Sequence, residues 1–214
     1  MKVIRHTLVS EGSTDANLIP IIDWTLKRVA AVPLSEGVRA DFWRLPERPD
    51  TTTERLLKAV EHFPCEVLFV HRDADGGLPQ TRIEEIRQAF DKAAIKLPAV
   101  AIIPVRMLEA WLCFEEDAIR KASGNPNGKV PLNLPPLKRV ESRPDPKADL
   151  KEALLAASEL SGRRRKKFDT AAAFWRIVDC IEDFSPLLEL PSFQVFERPI
   201  KSLQENDWKA GFYG

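Results

Sequence analysis

Two uninterrupted apolar runs constrain this chain more than any other feature. Residues 66–70 read EVLFV, apolar from Val67 on, and residues 99–105 read AVAIIPV. A strand with water on one face alternates apolar and polar residues. A continuous run this short fits a strand covered on both faces, as in a parallel sheet between helices. The surrounding segments agree. Residues 2–9 (KVIRHTLV) are β-rich and end in a Ser-Glu-Gly-Ser turn. Leu18, Ile21, Ile22, Leu26 and Val29 recur near helical spacing across 14–31, with Ser13 or Thr14 placed to cap. Residues 38–45 (VRADFWRL) alternate and predict a second strand. Helical patterns follow at 51–63 and 81–97, and a short helix is expected at 106–112. Strand and helix therefore alternate, which predicts an α/β domain with a mostly parallel, Rossmann-like sheet flanked by helices over residues 1–123.

The texture changes at Ser123. Six prolines between Asn125 and Pro146 predict an extended loop over 124–145 rather than a packed element. Helical patterns at 146–160, about 169–181 and about 192–204 make 146–214 a C-terminal helical extension expected to pack on the sheet. With 44% hydrophobic residues in 214, the chain can bury a real core, which excludes global disorder. Its 32 basic and 32 acidic side chains cancel, so affinity for nucleic acid from bulk charge is excluded while a local basic face is not. Cys65, Cys113 and Cys180 are an odd, scattered set without CxxC spacing, which fits reduced thiols in a cytoplasmic protein. The start lacks the apolar core of a signal peptide, and no apolar run reaches the roughly 18 residues of a membrane span.

The chemistry-bearing residues fall at the predicted strand ends, where open α/β sheets bind ligands. Glu11 follows the first strand, Asp73 and Asp75 the third, and Glu109 the fourth, while Asp15 stands one helical turn past Glu11. Such acids repel one another unless a cation cancels the charge. Oxygen-only ligands favour Mg²⁺ or Mn²⁺. In an extended stretch, Asp73 and Asp75 point the same way and can reach one metal. Gly12 and Gly76-Gly77 are expected to let the backbone turn sharply beside them. The bland alternative for each acid alone is a cap or a solvated turn. Arg72 and Arg106 stand next to the acids, either as phosphate-binding cations or as their ion-pair partners. Arg163, Arg164, Arg165, Lys166 and Lys167 form the one strong basic run, either a phosphate-backbone contact or a solvated helix start. His71 is either a base or, as expected here, a strand-end residue with a structural hydrogen bond, and Trp43, Trp111 and Trp175 are expected to pack in the core rather than to stack on bases. A phosphotransferase with an aspartyl nucleophile would need Asp where Glu11 stands.

This order of acids resembles the Toprim domain of topoisomerases, primases and OLD-family nucleases. The resemblance rests on Val9-Ser10-Glu11-Gly12-Ser13-Thr14-Asp15, on Asp73-Ala74-Asp75, and on Glu109 within residues 104–112 (PVRMLEAWL). The last stretch and residues 192–196 (SFQVF) are also similar to small stand-alone bacterial Toprim-like proteins, some of them in phage-defence loci. The resemblance covers residues 2 to about 115 well and the rest loosely. It implies a Mg²⁺- or Mn²⁺-dependent phosphodiester-cleaving nuclease. Glu11, Asp15, Asp73, Asp75 and Glu109 would hold metal, Arg106 would assist, and Arg72, Lys147 and the 163–167 run would contact nucleic acid. The chain has neither an OLD-type ATPase domain nor a zinc ribbon, so target recognition falls to the C-terminal part or to a protein partner. The alternative is a non-catalytic Toprim-like module that binds nucleic acid or a partner.

Overall fold

The computed structural model describes residues 3–214. In chain order the elements are β1 (Val3–Val9), α1 (Leu18–Val29), β2 (Leu34–Arg39), α2 (Thr52–His62), β3 (Val67–His71), α3 (Pro79–Ala93), β4 (Pro98–Ile102), α4 (Glu116–Ala122), α5 (Pro146–Ala157), α6 (Gly162–Lys166), α7 (Thr170–Ile177), α8 (Pro191–Glu205) and β5 (Gly211–Tyr213). The strands form one five-stranded sheet in the order β2-β1-β3-β4-β5. Every pairing is parallel. The architecture is α/β and Rossmann-like, as the buried runs predict. Among the described residues, no helix is long and apolar enough to cross a membrane.

The alternation of side chains sorts the sheet into two faces. Leu68 and Val70 of β3, with Ala99 and Ala101 of β4, meet Leu56 and Ala59 of α2 and Ile83, Ile86 and Phe90 of α3. On the opposite face, Phe69 packs edge-on against Phe196 of α8, whose neighbour Phe193 meets Trp24 of α1. Local chemistry fixes the helix ends. The Thr51 hydroxyl accepts the Glu54 N–H while the Glu54 carboxylate accepts the Thr51 N–H, a reciprocal cap on α2. Pro79 opens α3 at a position where its missing N–H costs nothing. Asp145 and Asp169 cap α5 and α7 through the N–H groups of Ala148 and Ala172.

Several elements differ from the sequence expectation. The second strand spans Leu34–Arg39, not 38–45. It is a sheet edge, and Gly37 lies beside His6 so closely that a Cβ there would come 2.3 Å from the His6 ring. The ladder ends with the Ala40 N–H on the Leu8 carbonyl, after which Phe42–Arg44 closes a 3-10 turn that buries Phe42. A 3-10 turn, Thr14–Asn17, precedes α1, and Ser13 makes no side-chain capping bond. The proline-rich stretch is not wholly extended: Leu137–Ser142 forms a 3-10 turn with Val140 buried. Residues 106–112 hold a 3-10 helix, Leu108–Leu112. The chain divides into two compact units, one of Met1–Pro104 with Pro191–Gly214 and one of Val105–Leu190. The expected boundary at 123 thus lies inside the second unit, and α8 and β5 belong with the sheet rather than with the other C-terminal helices.

Candidate functional site

Strand order 2-1-3-4-5 places a topological switch point between β1 and β3, because the chain leaves these neighbours toward opposite edges of the sheet. The crevice beyond their carboxyl ends is where doubly wound sheets bind ligands. Glu11, two residues past β1, and Asp73 and Asp75, past β3, stand at this crevice. Asp15 turns back toward it: its Oδ2 accepts the Gly12 N–H at 2.8 Å.

The histidine that ends β3 lies against two of these acids. His71 is 3% exposed, and its Nδ1 lies 3.1 Å from the Ile102 carbonyl oxygen. A carbonyl only accepts, so Nδ1 carries the proton. The Nε2 atom lies 3.5 Å from Asp73 Oδ1 and 3.9 Å from Asp15 Oδ1. Burial pushes the imidazole pKa below its ordinary value, against the pull of the Asp15 carboxylate, which favours the cation. The neutral ring therefore turns a lone pair toward two carboxylates. That arrangement is repulsive by itself, and a cation placed there would relieve it.

The other two acids carry arginine partners. Arg72 Nε lies 3.1 Å from Glu11 Oε1, and its Nη1 donates to the Thr52 hydroxyl at 3.3 Å. Arg82, one turn into α3, reaches Asp75 Oδ2 at 3.4 Å and Glu85 at 2.9 Å. Asp73 and Asp75 thus have separate partners, which corrects the expectation of two parallel carboxylates. The reason is the backbone. Asp75 adopts φ 50° and Gly76 φ 78°, and the Gly77 N–H bonds the Ala74 carbonyl, so a tight turn replaces the extended stretch. Of the glycines expected to turn sharply here, only Gly76 takes a left-handed conformation. Strain at a non-glycine residue often marks a functional site.

The remaining candidates lie in the second unit. Arg106 also adopts a left-handed φ, 65°. Glu109, largely buried on the 3-10 helix, has Lys147 Nζ at 3.8 Å, and the lysine is mostly exposed. Arg163 to Lys167 are all exposed around α6 and make no ion pair among the described residues. Arg165 does bond the Leu155 carbonyl. Among the described residues, no three His, Cys, Asp or Glu side chains are gathered tightly enough to hold a metal as they stand. The donor set is nonetheless of the right kind: carboxylate oxygens with one buried imidazole, at a crevice with excess negative charge.

Sequence reasoning missed Arg82, whose signal was its place in the first turn of a helix that follows the acidic loop. It also misplaced two tryptophans. Trp111 is fully buried as expected, but Trp43 is 69% exposed and Trp175 is 37% exposed. No protein-family model, curated protein or solved structure matches the chain.

Proposed function

We propose that this chain is a divalent-metal-dependent phosphodiester-cleaving enzyme acting on nucleic acid, a nuclease of the Toprim type. One observation carries the reading: Glu11, Asp15, Asp73 and Asp75 stand beyond the carboxyl ends of the two strands that flank the switch point. The order of acids along the chain, like that of Toprim domains, supports the same reading. Bound Mg²⁺ or Mn²⁺ would polarise the scissile phosphate and lower the pKa of the attacking water.

The protein's own groups would do the rest. Asp73 and Asp75 would supply the ligands past β3, and Glu11 and Asp15 those past β1. His71, its Nδ1–H spent on the Ile102 carbonyl, would offer its Nε2 lone pair to the same cation that Asp15 and Asp73 hold. Arg72 holds Glu11 in the absence of metal and would transfer its N–H donors to the phosphate once Glu11 is engaged. The run from Arg163 to Lys167 attracts a nucleic-acid backbone without sequence preference. The same arginine pairs favour the second reading, a non-catalytic nucleic-acid- or partner-binding module, because they already neutralise Glu11 and Asp75. A role as a phage-defence effector rests on the resemblance alone.

Purified full-length protein incubated with nicked, linear and supercoiled DNA and with RNA, in Mg²⁺ and in Mn²⁺, separates the two. The nuclease reading predicts cleavage of at least one substrate, lost in EDTA and reduced about 100-fold or more by Asp75→Ala. Metal binding without turnover on any of them would establish the binding module instead.

A further inference from the structure

Phe42, anchored in the core with its ring edge-on to Phe63 at 6.1 Å, ends the β2 ladder in a three-residue 3-10 turn. The turn faces Trp43 outward. Five residues later the chain returns, and the Arg48 guanidinium lies 3.9 Å from the centre of the Trp43 ring. Both side chains line a cleft of about 210 Å³ together with Arg39, Arg55, Ser10 and Glu11. The cleft therefore opens beside the first acid of the candidate metal site.

Its electrostatics suit a phosphodiester. Arg48 and Arg55 make no ion pair among the described residues, and Arg55 spends one donor on the Ser10 carbonyl at 3.3 Å, which holds its charge against the end of β1. Arg39 is shared with Asp41 at 3.4 Å. The acids lining the cleft are Glu11 and Asp50. Three guanidinium groups against two carboxylates give a small positive excess, which grows when Glu11 is engaged by a cation. An indole already stacked with a guanidinium, beside phosphate-seeking arginines, is the combination that single-stranded nucleic-acid sites use: arginines track the backbone and a flat aromatic ring carries a base.

We propose that the Trp43–Arg48–Arg55 cleft is a nucleotide subsite. It seats one nucleotide of a single strand, with its base on Trp43 and its phosphate on Arg55 and Arg48, so that the neighbouring phosphodiester lies at Glu11. The proposal rests on the phosphodiesterase reading for its direction along the strand but not for its binding energy.

The test is fluorescence anisotropy of labelled single-stranded DNA and RNA 12-mers with the full-length protein, at about 50 mM salt in EDTA, where no metal-dependent turnover occurs. Trp43→Ala weakens binding about tenfold, while Trp43→Phe retains most of it, because stacking depends on a flat ring and not on the indole N–H. Arg48→Gln weakens it severalfold and flattens the salt dependence. Trp43→Ala melts within a degree or so of wild type because its side chain packs little, so loss of affinity is not loss of fold. Wild type that binds neither strand, or Trp43→Ala that binds as wild type does, overturns the subsite. Trp43-dependent binding without cleavage under any metal keeps the subsite and refutes the nuclease. Cleavage with no effect of Trp43→Ala on binding or KM does the reverse.

Discussion

Replacing Asp73 by asparagine is expected to stabilise the metal-free protein. The neutral His71 ring turns its Nε2 lone pair toward Asp73 at 3.5 Å and Asp15 at 3.9 Å. An asparagine at position 73 offers that lone pair an N–H and removes one of the two negative charges. A neutral hydrogen bond contributes about 1 kcal/mol net. Relief of carboxylate repulsion adds less than about 1 kcal/mol, because the Asp73 side chain is 36% exposed and water screens it. Together about 1–2 kcal/mol raises the Tm of a chain this size by about 2–8 °C. Calorimetry in EDTA at pH 7.5 measures it directly. Adding Mg²⁺ should then raise the wild-type Tm by mass action, while Asp73→Asn responds less, having lost a ligand. A lower Tm for Asp73→Asn in EDTA, or an equal Mg²⁺ response in both proteins, would refute the reasoning.

Phe69, fully buried on β3 between the rings of His6 and Phe196, should cost about 3–5 kcal/mol on truncation to alanine, measured by urea unfolding; a loss below about 1 kcal/mol would mean the two sheet faces are not packed as described. Thr51→Ala removes one arm of the reciprocal cap on α2 and should cost about 1 kcal/mol in the same assay. Burial, with Asp149 and Glu109 adding to it, pushes the Cys113 thiol up to about 12, so iodoacetamide at pH 8.5 should leave Cys113 unmodified in native protein and label it in urea, as read by peptide mass spectrometry.

The sheet interior was the most legible part of the chain. Strands β3 and β4 are covered on both faces, so apart from His71 at the end of β3 their side chains are apolar, as a short buried strand requires. The edges were not legible, for a physical reason. Strand β2 alternates between exposed and half-buried residues and holds a glycine, so the stronger alternation just beyond it, through Ala40 and Phe42, drew the prediction off by several residues. Strand β5 has three residues, too few to carry a period, and exists because β4 offers it an edge to pair with. Helix α4 likewise passed unnoticed within seven residues. The acids were legible as residues past strand ends, since that depends only on where strands stop. Their pairing was not: the turn at Asp75, the reach of Arg82 and the buried lone pair of His71 depend on dihedral angles and on a neighbour, Ile102, that lies 31 positions away. Trp43 shows the same limit. Its neighbour Phe42 took the core position, and a single turn then faced the larger ring toward solvent.

The central claim is that the strand-end acids hold a divalent cation. The most direct measurement is a crystal of the protein soaked in Mn²⁺, with anomalous density sought in the crevice beyond β1 and β3. The account predicts a peak at coordination distance, about 2.0–2.3 Å, from oxygens of Asp73 and Glu11, with Arg72 displaced from its place beside Glu11. A crevice without anomalous density, with Glu11 still on Arg72 and Asp75 still on Arg82, would contradict it.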